Sequence, residues 1–170
     1  TKACLDYLVY GVFDAQAMSD RLSHILMRNT GQVNNMMLNL LDSHDTERFL
    51  TLAKKSGKDE RSLLCALAIL FFSPGMPWIY YGTEIGMEGG YDPDSRRTFD
   101  WNRQNWNLRI YDTVKKLIRL RKRIAGEVKY SAQDGVLLIE RKDLLLAVNN
   151  GTEKRETEIA GRKYEIDPFG

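Results

Sequence analysis

"NLLDSHDTERFLT", residues 39–51, runs from apolar residues straight into a cluster of ionisable side chains: Asp42, His44, Asp45, Glu47 and Arg48. The chain has only two histidines, so setting one among so many charges at the close of an apolar run calls for a reason. Taken alone, the stretch is open to three readings: a catalytic rim, a metal site, or a salt-bridged helix start. Its flanks supply the architecture. "MMLNLL" at 36–41 is a short, nearly continuous apolar run, the pattern of a strand buried on both faces. "DERSLLCALAILFF" at 59–72 predicts a strongly apolar helix capped by Asp59. Pro74-Gly75-Met76-Pro77 breaks that helix, and "WIYYG" at 78–82 predicts a second short buried strand. A long glycine-rich loop then leads to a helix carrying Tyr111, Val114, Leu117, Ile118 and Arg121. Strand, helix, strand, helix is the order of a parallel βαβ fold.

Upstream, Leu5, Leu8 and Val9 are at helical spacing, and the sequence opens without a methionine, as expected of a piece of something longer. Asp14 is placed to cap a helix through Met18, Leu22, Ile25 and Leu26 that ends at Asn29-Thr30-Gly31, with His24 solvated off its apolar stripe. The composition changes at Gly126. From there, short apolar runs are joined by Asp134-Gly135, Lys142-Asp143 and Asn150-Gly151, which are hairpin signals. An antiparallel β region of about 45 residues is too small to stand alone, so it is expected to pack on the α/β part before it.

Composition narrows the classes. With 170 residues, 43% hydrophobic and 28% charged, the chain has the make-up of an ordinary globular protein. A net charge of +2 argues neither for nucleic acid nor for an anionic membrane surface. Cys4 and Cys65 make neither a disulfide framework nor a CxxC zinc knuckle and read as buried free thiols. No secretory segment opens the sequence. Its longest apolar run, "LLCALAILFF" at 63–72, is about half the ~18 residues a membrane span needs.

In a parallel α/β sheet or barrel, ligands bind beyond the carboxyl ends of the strands. Both predicted strands lead into polar loops there: the His44-Asp45 cluster after the first, and Glu84, Asp92, Arg96 and Arg97 after the second. A carboxylate on such a rim stabilises developing positive charge or holds sugar hydroxyls, and a neighbouring imidazole donates to a ligand oxygen.

Here a family resemblance becomes specific. "NLLDSHDTERFLT" resembles the fourth signature region of the α-amylase superfamily, glycoside hydrolase family 13, whose core is a (β/α)8 TIM barrel. "PGMPWIYYGTEIGM" at 74–87 is similar to that family's eighth barrel strand and the loop after it. "GGYDPDSRRTFDW" at 89–101 resembles the next active-site loop, in the style of the cyclomaltodextrinase, neopullulanase and maltogenic-amylase branch. The motifs stand in family order across roughly residues 1–125. The resemblance therefore implies the C-terminal part of a barrel, about strands 7 and 8 with their helices, in residues 1–125. Residues 126–170 would be a small, truncated C-terminal antiparallel β domain.

Carried over residue by residue, Asp45 matches the carboxylate that stabilises the transition state, and His44 the histidine that binds the same sugar. Asp92 and Arg96 match a pair that binds the adjacent sugar. Arg48 is counted with the substrate-binding set, either orienting a catalytic carboxylate or making a rim salt bridge. Glu84 is expected in a supporting role, Tyr80 and Tyr81 in the core, Trp101 and Trp106 under a loop, and the basic run from Arg119 to Arg123 at a solvated helix end.

A retaining glycosidase also needs a nucleophile and a general acid about 5 Å apart. No Arg-x-Asp nucleophile motif occurs in the 44 residues before Asp45. The implied parent is a retaining α-glucan hydrolase or transglycosylase acting on α-1,4 bonds, with α-1,6 bonds as the alternative, of maltooligosaccharides, pullulan or cyclodextrins, and this chain alone is expected to be inactive. The branch implies a cytoplasmic location. No cofactor is expected; calcium is left to the intact parent. The expected partners are an α-glucan oligosaccharide and either the remainder of the enzyme or another copy covering the open barrel edges. Two rivals stand: a non-catalytic glycan-binding module, and a metal-dependent phosphohydrolase built on His24, His44, Asp45 and a later aspartate.

Overall fold

The computed structural model describes residues 1–168. Helix α1, Lys2–Leu8, buries Tyr7 and Leu8, and the Lys2 ammonium pairs with the buried Asp6 carboxylate at 2.9 Å. Helix α2, Ala15–Met27, starts where Asp14 places it: its Oδ1 accepts from the Ala17 N–H at 2.8 Å. Asn29-Thr30-Gly31 separates two helices instead of leading into a strand. Thr30 caps a short α3, Gly31–Met36, which absorbs the start of "MMLNLL".

Only Leu38–Leu40 forms strand β1, which pairs in parallel with β2, Met76–Trp78, in the register Leu38↔Met76, Asn39↔Pro77, Leu40↔Trp78. The second strand thus lies two residues earlier than "WIYYG" predicted. Burial on both faces is not found either, since Leu38 and Met76 are each 51% exposed. The cause is the missing neighbour: among the described residues this sheet has two strands, so each is an edge. Gly75 lets the loop meet β1. At φ +93° a Cβ there would stand 2.4 Å from the Met37 carbonyl oxygen, the acceptor of the Met76 N–H at 2.8 Å.

Between the strands run α4, Phe49–Lys55, which the charged cluster before it hid from sequence reading, and α5, Glu60–Phe72, capped by Asp59. The parallel β-α-β order holds. Helix α6, Leu108–Arg121, is capped by Asn107 and buries Ile110, Val114 and Leu117. Its basic end is only partly solvated. Arg121 Nη1 donates to the carbonyls of Phe71 at 2.5 Å and Ser73 at 2.7 Å, and Nη2 to that of Gly75. A cation thus closes the C-terminal end of α5, where carbonyls lack helical partners and the helix dipole is negative.

The remaining strands are antiparallel: β3, Val128–Gln133, β4, Val136–Arg141, and β5, Leu144–Val148, in one sheet, with β6, Arg155–Ile159, and β7, Arg162–Ile166, in another. Asp134-Gly135 turns the first hairpin with both φ values positive, 52° and 76°. Asn150-Gly151 closes no hairpin but carries the chain from β5 to the second sheet. The side-chain amides here are otherwise engaged: Asn150 Nδ2 donates to the carbonyls of Tyr7 and Phe13, and Nδ2 of the preceding Asn149 to those of Glu153 and Ile166.

Leu137, Ile139 and Val148 share one apolar core with Tyr7, Met18, Leu63, Leu67 and Ile69. The Tyr7 hydroxyl donates to the Val148 carbonyl at 3.0 Å, and Arg141 Nη1 to that of Phe72 at 2.9 Å. Burial in this core pushes the Cys4 thiol up to about 11 and that of Cys65 to about 12. No helix among the described residues is long and apolar enough to cross a membrane.

Candidate functional site

Two loops build the site, one after each parallel strand. In the first, Asp42 turns inward at 2% exposure. Its Oδ1 accepts from the Phe49 N–H at 2.6 Å, at the start of α4, and its Oδ2 accepts from the Thr83 hydroxyl at 2.6 Å, in the second loop. Burial pushes this carboxyl above its usual range, opposed by those two bonds and the Arg48 charge. Two residues on, the chain turns outward. His44 Nε2 lies 3.1 Å from Asp45 Oδ1, and both side chains are more than half exposed.

The second loop folds back over the first. The Gly89 N–H donates to Thr51 Oγ1 at 2.8 Å, and the Arg48 N–H to the Gly89 carbonyl at 3.0 Å. Asp94 accepts from the Gly90 N–H at 2.6 Å and from Arg97 at 2.7 and 2.8 Å, and these bonds, Arg97 first, hold its carboxyl below the usual range. The turn at Asp94–Arg96 then delivers two donors to one acceptor: Ser95 Oγ donates to the His44 carbonyl at 2.9 Å and Arg96 Nε to the same oxygen at 3.3 Å. Arg96 Nε also lies 2.8 Å from Asp92 Oδ1, and Arg96 Nη2 lies 4.0 Å from Asp45 Oδ1.

His44, Asp45, Asp92 and Arg96, drawn from positions up to 52 apart, therefore form one exposed cluster. An open carboxylate flanked by an imidazole and a guanidinium can accept from vicinal hydroxyls while donors grip the same group from the other side.

Arg48 lies beneath the cluster. It is fully buried, with Nη1 donating to the Tyr81 carbonyl at 2.9 Å, Nε to that of Ser95 at 3.2 Å, and Nη2 unpaired among the described residues. Its guanidinium lies 4.7 and 5.2 Å from the ring centres of Tyr80 and Tyr81. It is thus neither a rim ion pair nor open to a ligand. Glu47 pairs instead with Lys55 on the surface. Tyr80 is buried as expected, but Tyr81 is half out and donates to the Arg97 carbonyl at 2.8 Å. Trp106 donates to the Asp100 carbonyl, while Trp101, at 82% exposure, lies against Phe99 and not under a loop. Thr83 and Ser95 escaped sequence reading, and Asp42 was read only as one of the loop's charges, because short polar residues gain meaning only from what they face. Among the described residues no three His, Cys, Asp or Glu side chains come together to hold a metal ion, and His24 is exposed on α2.

Residues 10–112 match the family described as alpha amylase, catalytic domain. The chain belongs to the α-amylase family. A cyclomaltodextrinase of Thermoanaerobacter pseudethanolicus is 37% identical over 95% of this chain and 30% of its own length. Neopullulanase 2 of Thermoactinomyces vulgaris is 38% identical over 74% of this chain and 21% of its own. These relatives belong to the cyclomaltodextrinase, maltogenic amylase and neopullulanase branch of α-amylase proteins, and this chain spans less than a third of their length. The fold agrees. The cyclic α-maltosyl-(1→6)-maltose hydrolase of Arthrobacter globiformis, in complex with that cyclic sugar, superposes with a TM-score of 0.88 at 27% identity, over 99% of this chain and 41% of that one.

Proposed function

We propose that this chain supplies the sugar-gripping part of a retaining α-glucan hydrolase or transglycosylase acting on α-1,4 and related bonds. In this reading residues 1–125 are the end of the catalytic barrel, β1 and β2 are its seventh and eighth strands, and residues 126–170 are a C-terminal β domain. Asp45 holds the hydroxyls of the sugar at the cleavage point and steadies the flattened, oxocarbenium-like ring, with bonds to its 2-OH that strengthen as the ring distorts. His44 grips the same sugar, Asp92 and Arg96 the adjacent one. The convergence of these four side chains beyond the ends of two parallel strands carries the proposal. The nucleophile and general acid are assigned to sequence outside residues 1–170.

The test is a maltotriose titration of the purified chain, with product analysis. Saturable binding that Asp45→Asn weakens, without hydrolysis, is the expected result. Turnover by this chain alone, or binding indifferent to Asp45, would overturn the reading.

A further inference from the structure

We infer that Ser95 and Arg48 are positioning residues that set the His44–Asp45 pair against Asp92 and Arg96. Ser95 is a joint with two working ends. Its carbonyl accepts from Arg48 Nε at 3.2 Å, and its hydroxyl donates to the His44 carbonyl at 2.9 Å. Arg48 is held on the opposite side by the Tyr81 carbonyl and lies over the rings of Tyr80 and Tyr81, so its guanidinium is pinned to the segment leaving β2. A second tie runs in parallel, where the Asp42 carboxylate accepts from the Thr83 hydroxyl at 2.6 Å.

These bonds join two loops beyond the end of the β1–β2 pair, and Arg48 and Ser95 are fully buried. By contrast, the groups they place are exposed: His44 at 55% and Asp45 at 69% of their side chains. Long-range order at the open cluster therefore comes from beneath it. An Arg–carbonyl bond is charge-assisted and roughly twice as strong as a neutral one, and its fixed fork resists rotation. The backbone oxygen of His44 receives two donors from one turn, Ser95 and Arg96. Removing the Ser95 hydroxyl leaves only the longer Arg96 bond, at 3.3 Å, and Arg96 must also hold Asp92. The expected outcome is a looser His44–Asp45 segment in a chain that is otherwise folded.

The effect on sugar affinity rests on the function proposed above; the mechanical link between loops does not. The two-histidine composition provides the readout. Imidazole-labelled chain yields two ring signals, His44 and the exposed His24, assigned with His24→Gln. In Ser95→Ala the His44 signal is expected to move and broaden while the His24 signal stays in place and the thermal midpoint falls by only about 2–4 °C, the scale of one lost hydrogen bond. Ser95→Cys keeps a weak S–H donor and is expected to give an intermediate shift. Arg48→Lys, which loses the fork but keeps the charge, is expected to reproduce the Ser95→Ala change.

A His44 signal unmoved in both Ser95→Ala and Arg48→Lys would overturn the positioning role. If maltotriose shifts His44 in the parent chain, Ser95→Ala is expected to weaken that binding by about tenfold, the scale of one lost hydrogen bond. Equal affinity would overturn the claim that the joint sets the sugar grip. A parent chain indifferent to maltotriose would sink the proposed function and leave the loop coupling standing on its His44 shift.

Discussion

Asp42 and Asp94 lie in adjoining loops and are pushed in opposite directions. Burial raises the first; the Arg97 guanidinium and the Gly90 N–H lower the second. For Asp94, with its folded value below the unfolded one of about 3.9, stabilisation is present above that value and is lost as pH falls through the folded one. For Asp42 the sign reverses: its buried carboxylate opposes folding above the unfolded value, and acid relieves it. The Gly90 amide, hydrogen-bonded to Asp94, is the local reporter. Its resonance is expected to titrate with a midpoint below about 3.9, followed by NMR from pH 6 downward. A midpoint at the ordinary aspartate value would show that the Arg97–Asp94 fork does not hold in solution. At this scale the sequence displayed His44, Asp45, Asp92 and Arg96 through motif alone. It did not display Ser95, whose partner His44 is 51 positions away.

At the scale of elements, the legible features were those whose cause is local. Asp14 and Asp59 cap the helices they were expected to cap, since each reaches an N–H two or three residues on. The short helices α3 and α4 were not legible: α3 ends inside the apolar run "MMLNLL", which has the pattern of a strand, and α4 follows directly on the charged cluster. Arg121 was misjudged for the opposite reason, because its partners lie 46 to 50 positions away on another helix end. Arg121→Met keeps the apolar stem and leaves three carbonyls short of a donor. It is expected to cost about 1–3 kcal/mol in urea unfolding, whereas Arg123→Met, on the exposed side of the same run, stays within about 0.5 kcal/mol. Equal midpoints for the two variants would remove the clamp from the account.

At the scale of the molecule, the two-stranded parallel sheet is the exposed flank. Met36, Leu38, Met76 and Trp78 stand at 73, 51, 51 and 42% exposure around strands with no further partner among the described residues. Apolar surface beside open strand edges favours association. The chain alone is expected to give a light-scattering mass above 19.6 kDa that rises with concentration. A monodisperse monomer across the range would show that this flank is satisfied from within.

By itself the sequence determined the family, the parallel β-α-β order, the long helices with the Asp14 and Asp59 caps, the first two β hairpins and the four polar groups of the cluster. Each of those is written in contiguous residues, as a motif, a period or a turn. Tertiary structure alone decided that Arg48 faces inward, that Ser95 and Thr83 bind the two loops together, that Arg121 closes α5, and that Asn150 anchors the β region. Every one of these is a hydrogen bond between groups tens of positions apart, and such pairing leaves no trace in the local order of a single chain. It forms only when the core brings the strand ends side by side and buried donors must find the nearest acceptors.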